Sequence, residues 1–539
     1  MKRCSFFLIL LLTAAAASHA GAGMSAAGAD APKIIVLEFH GLKRDIIQNN
    51  LDRLPNFREL IQGPSNRQPY VHLSKVFTTI PAASVPACTA MYTGRYPQQT
   101  GVVSTIWFDR RTTKVYTMIS YLQQRINRTL EQNNVKTIFD YVKAAGKQSL
   151  SAMLMIDKGA DISIKSGMFF WGNASTVGLF KRGHWFPDPW YMDHKTISGF
   201  LTGHVFAYSK SLSGLLDKQG RIPDLMVVQL LGTDIFSHFP DAALVEQNAS
   251  MEEIQAHYAQ HVLDPEIGRI IRFLKKKNCF GRTIFFLVSQ QGAIKIEKHI
   301  PDNIVSKILG THYRLPDMQT PNRSAEAVVM LGACTKEIYL RNRCTGSWLD
   351  PPRLLQDVKP AVDLLSQNAT IRDSLNTMVV RQYPGERREG VTETKPWWGF
   401  DWQNYCKGPR RDTDFVNALQ PLEETFKRFE LEKYLVQGLT HQYTRATAPD
   451  IKLINQKGIY FERNEKKYGH HGSYYPEDTI VSFWIAGPGM TAIVPQRHSI
   501  DRETSTLDLV PMVASLLKIE IPDDLAGKNP LAGLLENHP

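Results

Sequence analysis

The feature that most constrains the fold is a pair of apolar, β-rich runs with an amphipathic helix between them. The runs cover residues 224–231 and 283–289. Between them, apolar residues recur at helical spacing, namely Leu263, Ile267, Ile270, Ile271 and Leu274. Such apolar runs are typical of strands buried on both faces, and a strand, helix, strand unit builds a parallel sheet. Two similar runs, 33–39 and 479–486, indicate further strands.

The sequence therefore predicts an α/β protein with a doubly wound, mostly parallel sheet. In such sheets ligand sites gather beyond the carboxyl ends of the strands. Polar residues stand at those ends: His40 follows the run 33–39, Asp234 and His238 follow the run 224–231, and Gln290 and Gln291 follow the run 283–289. We expect these three turns to share one crevice.

The domain organisation is predicted from shifts in composition. Residues 33–292 form the first part of the core, and 451–539 complete it. The segment 293–450, rich in Pro, Arg and Trp, is interpreted as a cap inserted over the crevice. The cap contains three clustered tryptophans, Trp397, Trp398 and Trp402. They could stack on a base or sugar, but we expect packing, because buried aromatic rings dominate the cores of small domains.

The first twenty residues are predicted to be a signal peptide. Lys2 and Arg3 precede an apolar run over 6–17, and Ser18-His19-Ala20 has the small-x-small pattern of a cleavage site. The apolar run is too short for a membrane anchor, and no later segment is long and apolar enough to span a bilayer. We therefore expect a secreted or periplasmic protein.

Charge and cysteine usage narrow the function classes. The formal net charge is +11, and removal of Lys2 and Arg3 with the leader lowers it by two, to +9. A mildly basic protein favours encounters with anionic substrates or surfaces, although charge alone fixes no partner, and no nucleic-acid motif is present. The sequence gives no indication of oligomeric state.

Five cysteines remain after the leader: Cys88, Cys279, Cys334, Cys344 and Cys406. Cys334 and Cys344 are close enough in sequence to bridge a short hairpin, although sequence does not fix the pairing, and the odd number leaves at least one thiol free. No CxxC pair occurs, which argues against a cysteine zinc site.

The segment around Ser84 has the pattern of a helix start. Pro86 suits the first turn of a helix, which places Ser84 at or just before the N-terminus. There a serine faces unpaired backbone N–H groups and the positive end of the helix dipole, both favourable to an alkoxide or a bound phosphate. The alternative is that Ser84 is only a helix cap.

The same segment resembles the nucleophile helix of the alkaline phosphatase superfamily. In that superfamily a Thr, Ser or Cys stands ten residues before the Gly of a Thr-Gly-x-x-Pro turn, as Ser84 does before Gly94. The resemblance implies that Ser84 is the catalytic nucleophile and that the fold is of alkaline phosphatase type with an inserted cap. A sulfatase is disfavoured, because its signature requires Ser and Arg where Ala87 and Cys88 stand.

Further motifs resemble the type I phosphodiesterase and nucleotide pyrophosphatase branch. Asp234 and His238 match its Asp-x-x-x-His pair, and His471 in Gly-His-His-Gly matches its distant His-Gly motif. One carboxylate and two imidazoles suit zinc or a similar divalent ion, with a position open for substrate. The alternative is that Asp234 only caps a helix and that His238 and His471 are ordinary surface histidines.

The second metal subsite of the family is replaced in this chain. Where the resemblance implies an Asp after the first strand and an Asp-His pair after the third, the chain has His40, Gln290 and Gln291. Neutral amides do not offset the charge of a divalent cation, so we expect one tightly bound ion and not two. Ser84 then needs another base, and His40 is the candidate.

Two functions therefore stay open. The first is a phosphodiesterase or phosphatase-like hydrolase with Ser84 as nucleophile, His40 as base and one ion on Asp234, His238 and His471. The second is a catalytically inactive family member that uses the crevice to bind an anionic ligand or partner. Turnover of a chromogenic phosphodiester, lost on substitution of Ser84, distinguishes the two.

Overall fold

The computed structural model describes residues 32–118, 122–164, 189–202, 222–317, 322–332, 335–382, 397–429, 431–462 and 467–535. The strands of these residues are, in chain order, β1 Lys33–Phe39, β2 Val71–Phe77, β3 Ile106–Asp109, β4 Lys114–Thr117, β5 Ser149–Ala152, β6 Ile162–Ile164, β7 Leu225–Leu230, β8 Thr283–Val288, β9 Ile294–Lys295, β10 Lys298–Pro301, β11 Ala327–Gly332, β12 Thr335–Leu340, β13 Leu375–Arg381, β14 Trp397–Phe400, β15 Leu419–Gln420, β16 Ile451–Asn455, β17 Ile459–Glu462, β18 Gly469–His470, β19 Ile480–Ala486, β20 His498–Ile500 and β21 Thr504–Ser505.

Nine of the described strands form a central sheet in the order β20-β2-β19-β8-β1-β7-β5-β6, with β21 also paired to β2. From β8 to β6 all neighbours run parallel. β19 lies antiparallel between β8 and β2. The mostly parallel α/β sheet is thus confirmed, and β19 is its antiparallel member.

The central sheet is buried on both faces. Ile35 and Leu37 of β1 belong to one apolar core, whereas Ile34 and Val36 belong to the core on the opposite face. This alternation follows from the two-residue period of a strand. It explains why the run is continuously apolar: each fully buried side chain of this kind contributes about 1.5–3 kcal/mol.

Helices cover both faces. Those with at least seven residues are Pro55–Gln62, Ser84–Thr93, Leu122–Gln132, Ile138–Ala144, Pro189–Thr202, Gly232–His238, Met251–Tyr258, Asp264–Lys276, Lys359–Gln367, Asp412–Ala418, Glu432–Thr440 and Leu509–Leu517. The predicted amphipathic helix is Asp264–Lys276, and it buries Ile267, Ile270 and Ile271 against one face of the central sheet.

A second sheet has the strand order β11-β12-β16-β13-β14-β15. Most of it lies in the segment interpreted as an inserted cap, but β16 begins at Ile451, one residue beyond the predicted end of that segment. β16 pairs with β12 and β13 and does not join the central sheet. An apolar run predicts a strand without specifying which sheet it enters.

The three tryptophans pack in the protein interior, as expected. Trp397 is buried in the central core, and Trp398 and Trp402 are buried in the core of the second sheet.

The predicted leader 1–20 and Cys334 lie outside the described residues, and the structure does not bear on them. Among the cysteines that the structure describes, Cys88, Cys279, Cys344 and Cys406 are free thiols. Within the same part of the chain, no helix combines the length and apolar character that crossing a bilayer requires.

Candidate active site

Three neighbouring parallel strands open onto one crevice. β8, β1 and β7 lie side by side in the central sheet, so their carboxyl ends meet at one edge. His40 follows β1, the Gly232–His238 helix follows β7, and Gln290 follows β8. The structure therefore brings together the three turns that the sequence indicated.

The turn after β1 passes close to Asp234. Gly41 has a φ of 75°, and a Cβ atom there would lie 2.9 Å from Asp234 Oδ1. Any other residue would be strained in this conformation and would displace the carboxylate. Gly41 thus allows His40 and Asp234 to approach each other.

Ser84 lies at the start of the Ser84–Thr93 helix, which follows β2. The preceding residue, Ala83, is the N-cap, and no side chain caps the helix. The interpretation of Ser84 as a helix cap is therefore wrong. The helix ends at Gly94, whose φ of 65° gives the left-handed conformation common at helix C-termini.

The Ser84 hydroxyl faces two side chains of the crevice. Its Oγ lies 2.8 Å from His40 Nε2. The amide of Gln291 donates to the same oxygen at 3.3 Å. His40 is only 2% exposed, so this contact is shielded from water. Hydroxyl and imidazole are placed for proton transfer.

Asp234, His238 and His471 form a cluster beside this pair. Asp234 Oδ1 lies 3.4 Å from His471 Nε2, and Asp234 Oδ2 lies 3.5 Å from His238 Nε2. One ligand atom from each residue lies within 4.8 Å of the others, and no second cluster of this kind occurs among the described residues. Asp234 and His238 share a helix face because they are four residues apart.

One ring of the cluster, that of His238, is oriented by a backbone carbonyl group. His238 Nδ1 lies 2.6 Å from the carbonyl oxygen of Gly469, which leaves Nε2 directed at Asp234. Such bonds fix the ring tautomer of metal-binding histidines. His470, next to His471, instead stacks on Tyr460 with centroids 5.3 Å apart. Of the two adjacent histidines, only His471 belongs to the cluster.

Charges within the cluster suit a cation. Burial alone raises the pKa of Asp234, but the imidazoles of His238, His471 and His40 outweigh it and hold that pKa well below its usual range. Burial lowers the pKa of His40 and of His471. At neutral pH an ionised carboxylate therefore faces neutral His40 and His471 rings, which are the states that metal ligation requires.

The opposite side of His40 is lined by amides. Gln290 and Gln291 are both completely buried. Nε2 of Gln290 lies 2.7 Å from His40 Nδ1. His40 Nε2 lies 3.7 Å from Asp234 Oδ2, so His40 lies between the carboxylate of the cluster and the neutral amides.

Sequence reasoning missed a buried carboxyl group behind His40. Glu38 accepts hydrogen bonds from Gln229 Nε2 and from the Tyr92 hydroxyl, each at 2.8 Å. Burial raises the pKa of Glu38 to about 7, although both hydrogen bonds lower it. A signal was available: Glu38 and Gln229 are polar residues in otherwise apolar strands, and they are register partners in β1 and β7.

The sheet with helices on both faces, the serine at a helix start and the Asp/His cluster at the strand ends define a protein of alkaline phosphatase type. The chain belongs to the type I phosphodiesterase / nucleotide pyrophosphatase family, whose pattern matches residues 34–369.

Solved structures with the same fold include murine ectonucleotide pyrophosphatase / phosphodiesterase 5, with 14% identity and a TM-score of 0.50 over 94% of this chain and 99% of that one. The human protein of that name has 15% identity and a TM-score of 0.51 over 93% and 99%. An inactive murine form in complex with AMP has 14% identity and a TM-score of 0.51 over 94% and 99%. At these identities the likeness is one of fold. Comparison with curated protein sequences gives no significant match.

Proposed function

We propose that the chain hydrolyses phosphodiesters, with Ser84 as the nucleophile and His40 as the base. Membership of the phosphodiesterase family supports hydrolysis of phosphoric esters. The observation that carries the proposal is the distance of 2.8 Å between Ser84 Oγ and His40 Nε2 inside the crevice. A serine hydroxyl alone is a weak nucleophile and needs a neighbouring base.

The chemical step uses this pair directly. The hydroxyl proton of Ser84 passes to His40 Nε2 while the bond from Oγ to phosphorus forms. The bond from phosphorus to the leaving oxygen breaks, and that oxygen takes a proton from solvent. Water then attacks phosphorus in the serine-linked ester and the bond from phosphorus to Oγ breaks. His40 returns its proton to Oγ, which regenerates Ser84, the attacking water loses a proton to solvent, and a phosphomonoester is released.

The Ser84–Thr93 helix supports the phosphoryl group. Its first backbone N–H groups have no partner within the helix, and its dipole is positive at this end. Both favour the oxygens of a phosphate placed at Ser84. Ala87 offers no side-chain donor to those oxygens. The backbone N–H groups at the start of the helix must therefore supply the hydrogen bonds to them.

A divalent ion, in our proposal zinc, is held by Asp234, His238 and His471. The residues fit such an ion: Asp234 Oδ1 is buried without a hydrogen-bond partner, and His471 Nε2 lies 3.4 Å from it. One carboxylate and two imidazoles make a donor set typical of zinc and leave a position open. When bound, the ion supplies Lewis acidity toward a phosphoryl oxygen.

We propose a single ion because the amide side of the crevice supplies no compensating charge. Gln290 and Gln291 are buried and neutral. Placing a divalent cation against neutral amides leaves its charge uncompensated in a poorly solvated site. His40 is then free to act as a base.

The substrate class that we propose is small anionic phosphodiesters, including those of the cell envelope. Nucleotide esters are the first probes to use, since a murine protein of the same fold was solved in complex with AMP. The formal charge of +11, or +9 after removal of Lys2 and Arg3 with the leader, supports attraction of anions.

A second candidate function is binding of an anionic ligand without turnover. Gln290 and Gln291 favour it, because they stand where the family resemblance implies an Asp-His pair. In that case the helix N-terminus and the metal cluster retain a phosphate, and Ser84 is not activated.

The deciding experiment is hydrolysis of bis(p-nitrophenyl) phosphate and of a nucleoside 5′-(p-nitrophenyl) phosphate by the zinc-loaded protein. We expect turnover that falls by about 10⁴-fold or more in Ser84→Ala, because the nucleophile is removed. Ser250→Ala is the matched control: Ser250 also stands at a helix start, where it caps Met251–Tyr258, but outside the crevice. The control should lose up to about 2 kcal/mol of stability and no turnover. Absence of turnover in the wild type with several divalent ions favours the binding function.

We also propose that the protein is exported, on the basis of the leader pattern in residues 1–20. Expression of the full chain should yield an extracytoplasmic product whose first residue is Gly21. N-terminal sequencing of the product tests this, and a cytoplasmic protein that retains Met1 contradicts it.

A further inference from the structure

The neutral amide of Gln290 contacts His40, the base of the proposed reaction, but has no role in the reaction as described so far. We propose that Gln290 is a positioning residue: its side-chain oxygen accepts the Nδ1–H of His40 and thereby leaves Nε2 unprotonated toward Ser84. This inference rests on the proposed function, because it assigns the group that orients the base.

The argument begins at the Ser84 hydroxyl. Gln291 Nε2 is a donor to Oγ at 3.3 Å, and His40 Nε2 is the other partner, at 2.8 Å. Among the described residues, Oγ has no further hydrogen-bond partner. With Gln291 as a donor to Oγ, the acceptor for the hydroxyl hydrogen among the described residues is His40 Nε2, and this arrangement requires an Nε2 without hydrogen.

A neutral imidazole with a bare Nε2 carries its hydrogen on Nδ1, and this hydrogen needs an acceptor. Two amides lie nearby, Gln290 at 2.7 Å and Gln229 at 3.4 Å. The nitrogen of Gln229 is already bound by Glu38 Oε1 at 2.8 Å, so its amide cannot turn without breaking that bond. The Gln290 amide nitrogen lies 3.3 Å from His40 Nε2 and 2.7 Å from Nδ1, and the shorter distance assigns Gln290 as the partner of Nδ1.

The amide of Gln290 is free to present its oxygen. With Nε2 toward His40, its Oε1 is buried without a hydrogen-bond partner. A half-turn about the Cγ–Cδ bond exchanges the two atoms and places Oε1 against Nδ1. Nδ1 then donates to an oxygen at the shorter distance and no longer faces two amide nitrogens.

The result is a chain of three groups: hydroxyl, imidazole and amide. A Cys-His-Asn constellation shows that a neutral amide suffices to orient a histidine base. Such an amide fixes the tautomer and supplies no negative charge. Gln290 thus orients the base His40, although it stands at a position where the family resemblance implies a metal ligand.

The direct test reads the tautomer of His40 by ¹⁵N NMR at pH 8 on protein labelled at histidine, with assignment by loss of its signals in His40→Gln. We expect hydrogen on Nδ1 in the wild type, and a mixture of tautomers in Gln290→Met, which replaces the amide by a side chain of similar size. Hydrogen on Nε2 in the wild type overturns the inference, whether or not the protein turns over substrate.

Kinetics provide the second test. We expect Gln290→Met to lower kcat by about 10- to 100-fold, as the loss of a group that orients a histidine does. KM and bound zinc should not change. Gln123→Met is the matched control, since Gln123 is a buried amide that donates to the Leu154 carbonyl away from the crevice. It should keep the wild-type kcat.

Gln290→Glu provides the rescue. A carboxylate only accepts hydrogen bonds, so it holds the same tautomer and should restore at least the wild-type kcat. Zinc content is measured in parallel, so that rescue by a second ion is recognised. Turnover that depends on Ser84 but is equal in the wild type and Gln290→Met refutes the role of Gln290 alone, whereas turnover unaffected by Ser84→Ala refutes the proposed function.

Discussion

The two sides of the crevice meet at His40 and are built from opposite kinds of side chain. On one side Asp234 carries a negative charge that two further imidazoles surround. On the other side Gln290 and Gln291 are uncharged and completely buried. The comparison teaches that the fold and the side-chain charge contribute separately: the fold sets where the side chains lie, and their charge sets what they can bind.

The largest effect is expected when the only carboxylate of the cluster is removed, because zinc binding should then be largely lost. We expect Asp234→Asn to weaken zinc binding by more than about 100-fold, the upper range for removal of a group that merely supports a ligand. Titration with a zinc indicator measures this. Asp241→Asn, at an exposed position shortly after the same helix, is the control and should bind zinc as the wild type does. Equal affinity of Asp234→Asn and the wild type contradicts the assignment of the cluster.

Introducing the Asp-His pair that the family resemblance implies should turn the amide side of the crevice into a second metal-binding site. In the double variant Gln290→Asp, Gln291→His, we expect bound zinc to rise from one ion per chain to two, because a carboxylate and an imidazole replace neutral amides. Elemental analysis after dialysis against a low zinc concentration gives the stoichiometry. The control is the double variant Gln290→Asn, Gln291→Asn, which changes side-chain length without adding charge. It should still bind one zinc ion per chain. Two ions in the wild type would falsify the single-ion proposal.

The buried carboxyl group of Glu38, behind His40, should make the free energy of unfolding depend on pH. The pKa of Glu38 is about 7 in the folded protein, above the ordinary value of 4.5. The folded state therefore binds more protons than the unfolded state between these values, and stability contributed by this group is lost as the pH rises from about 4.5 to about 7. The difference corresponds to on the order of 3 kcal/mol.

Glu38→Gln removes this dependence. Relative to the wild type, the variant should gain stability as the pH rises through that window and show a constant difference above it. Urea unfolding at pH 5, 6, 7 and 8 measures the free energy of unfolding. A difference between variant and wild type that is the same at every pH shows that Glu38 does not titrate in this range.

The smallest effect is expected at the histidine beside the cluster. His470 accepts a hydrogen bond from the backbone N–H of His471 at 2.8 Å and stacks on Tyr460. We expect His470→Gln to weaken zinc binding by roughly tenfold, as the loss of a supporting contact does, and His471→Gln by considerably more. If His470→Gln has the larger effect, the two histidines have been assigned in the wrong order.

Much of this site could be predicted from the sequence because its residues follow strand ends or a helix start. Apolar runs located β1, β7 and β8, and the polar residues after them proved to share a crevice. Ser84 was found from the pattern of a helix start and from its spacing to Gly94. These signals are local, so a single sequence retains them.

Other features depend on which segments become neighbours, and sequence patterns did not predict them. The partnership of Glu38 with Gln229 arises from the register of two strands separated by almost two hundred positions along the chain. The antiparallel direction of β19 and the entry of β16 into the second sheet likewise depend on tertiary pairing. Periodicity carries no information about pairing partners.

The position of β19 has a consequence for the newly made chain. β19 is the only described strand that joins β2, which leads to Ser84, to β8, which leads to Gln290. Because Ile480–Ala486 is synthesised long after both, nucleophile and base cannot be brought into register until most of the polypeptide has emerged. An incomplete chain therefore lacks the assembled contact between Ser84 and His40.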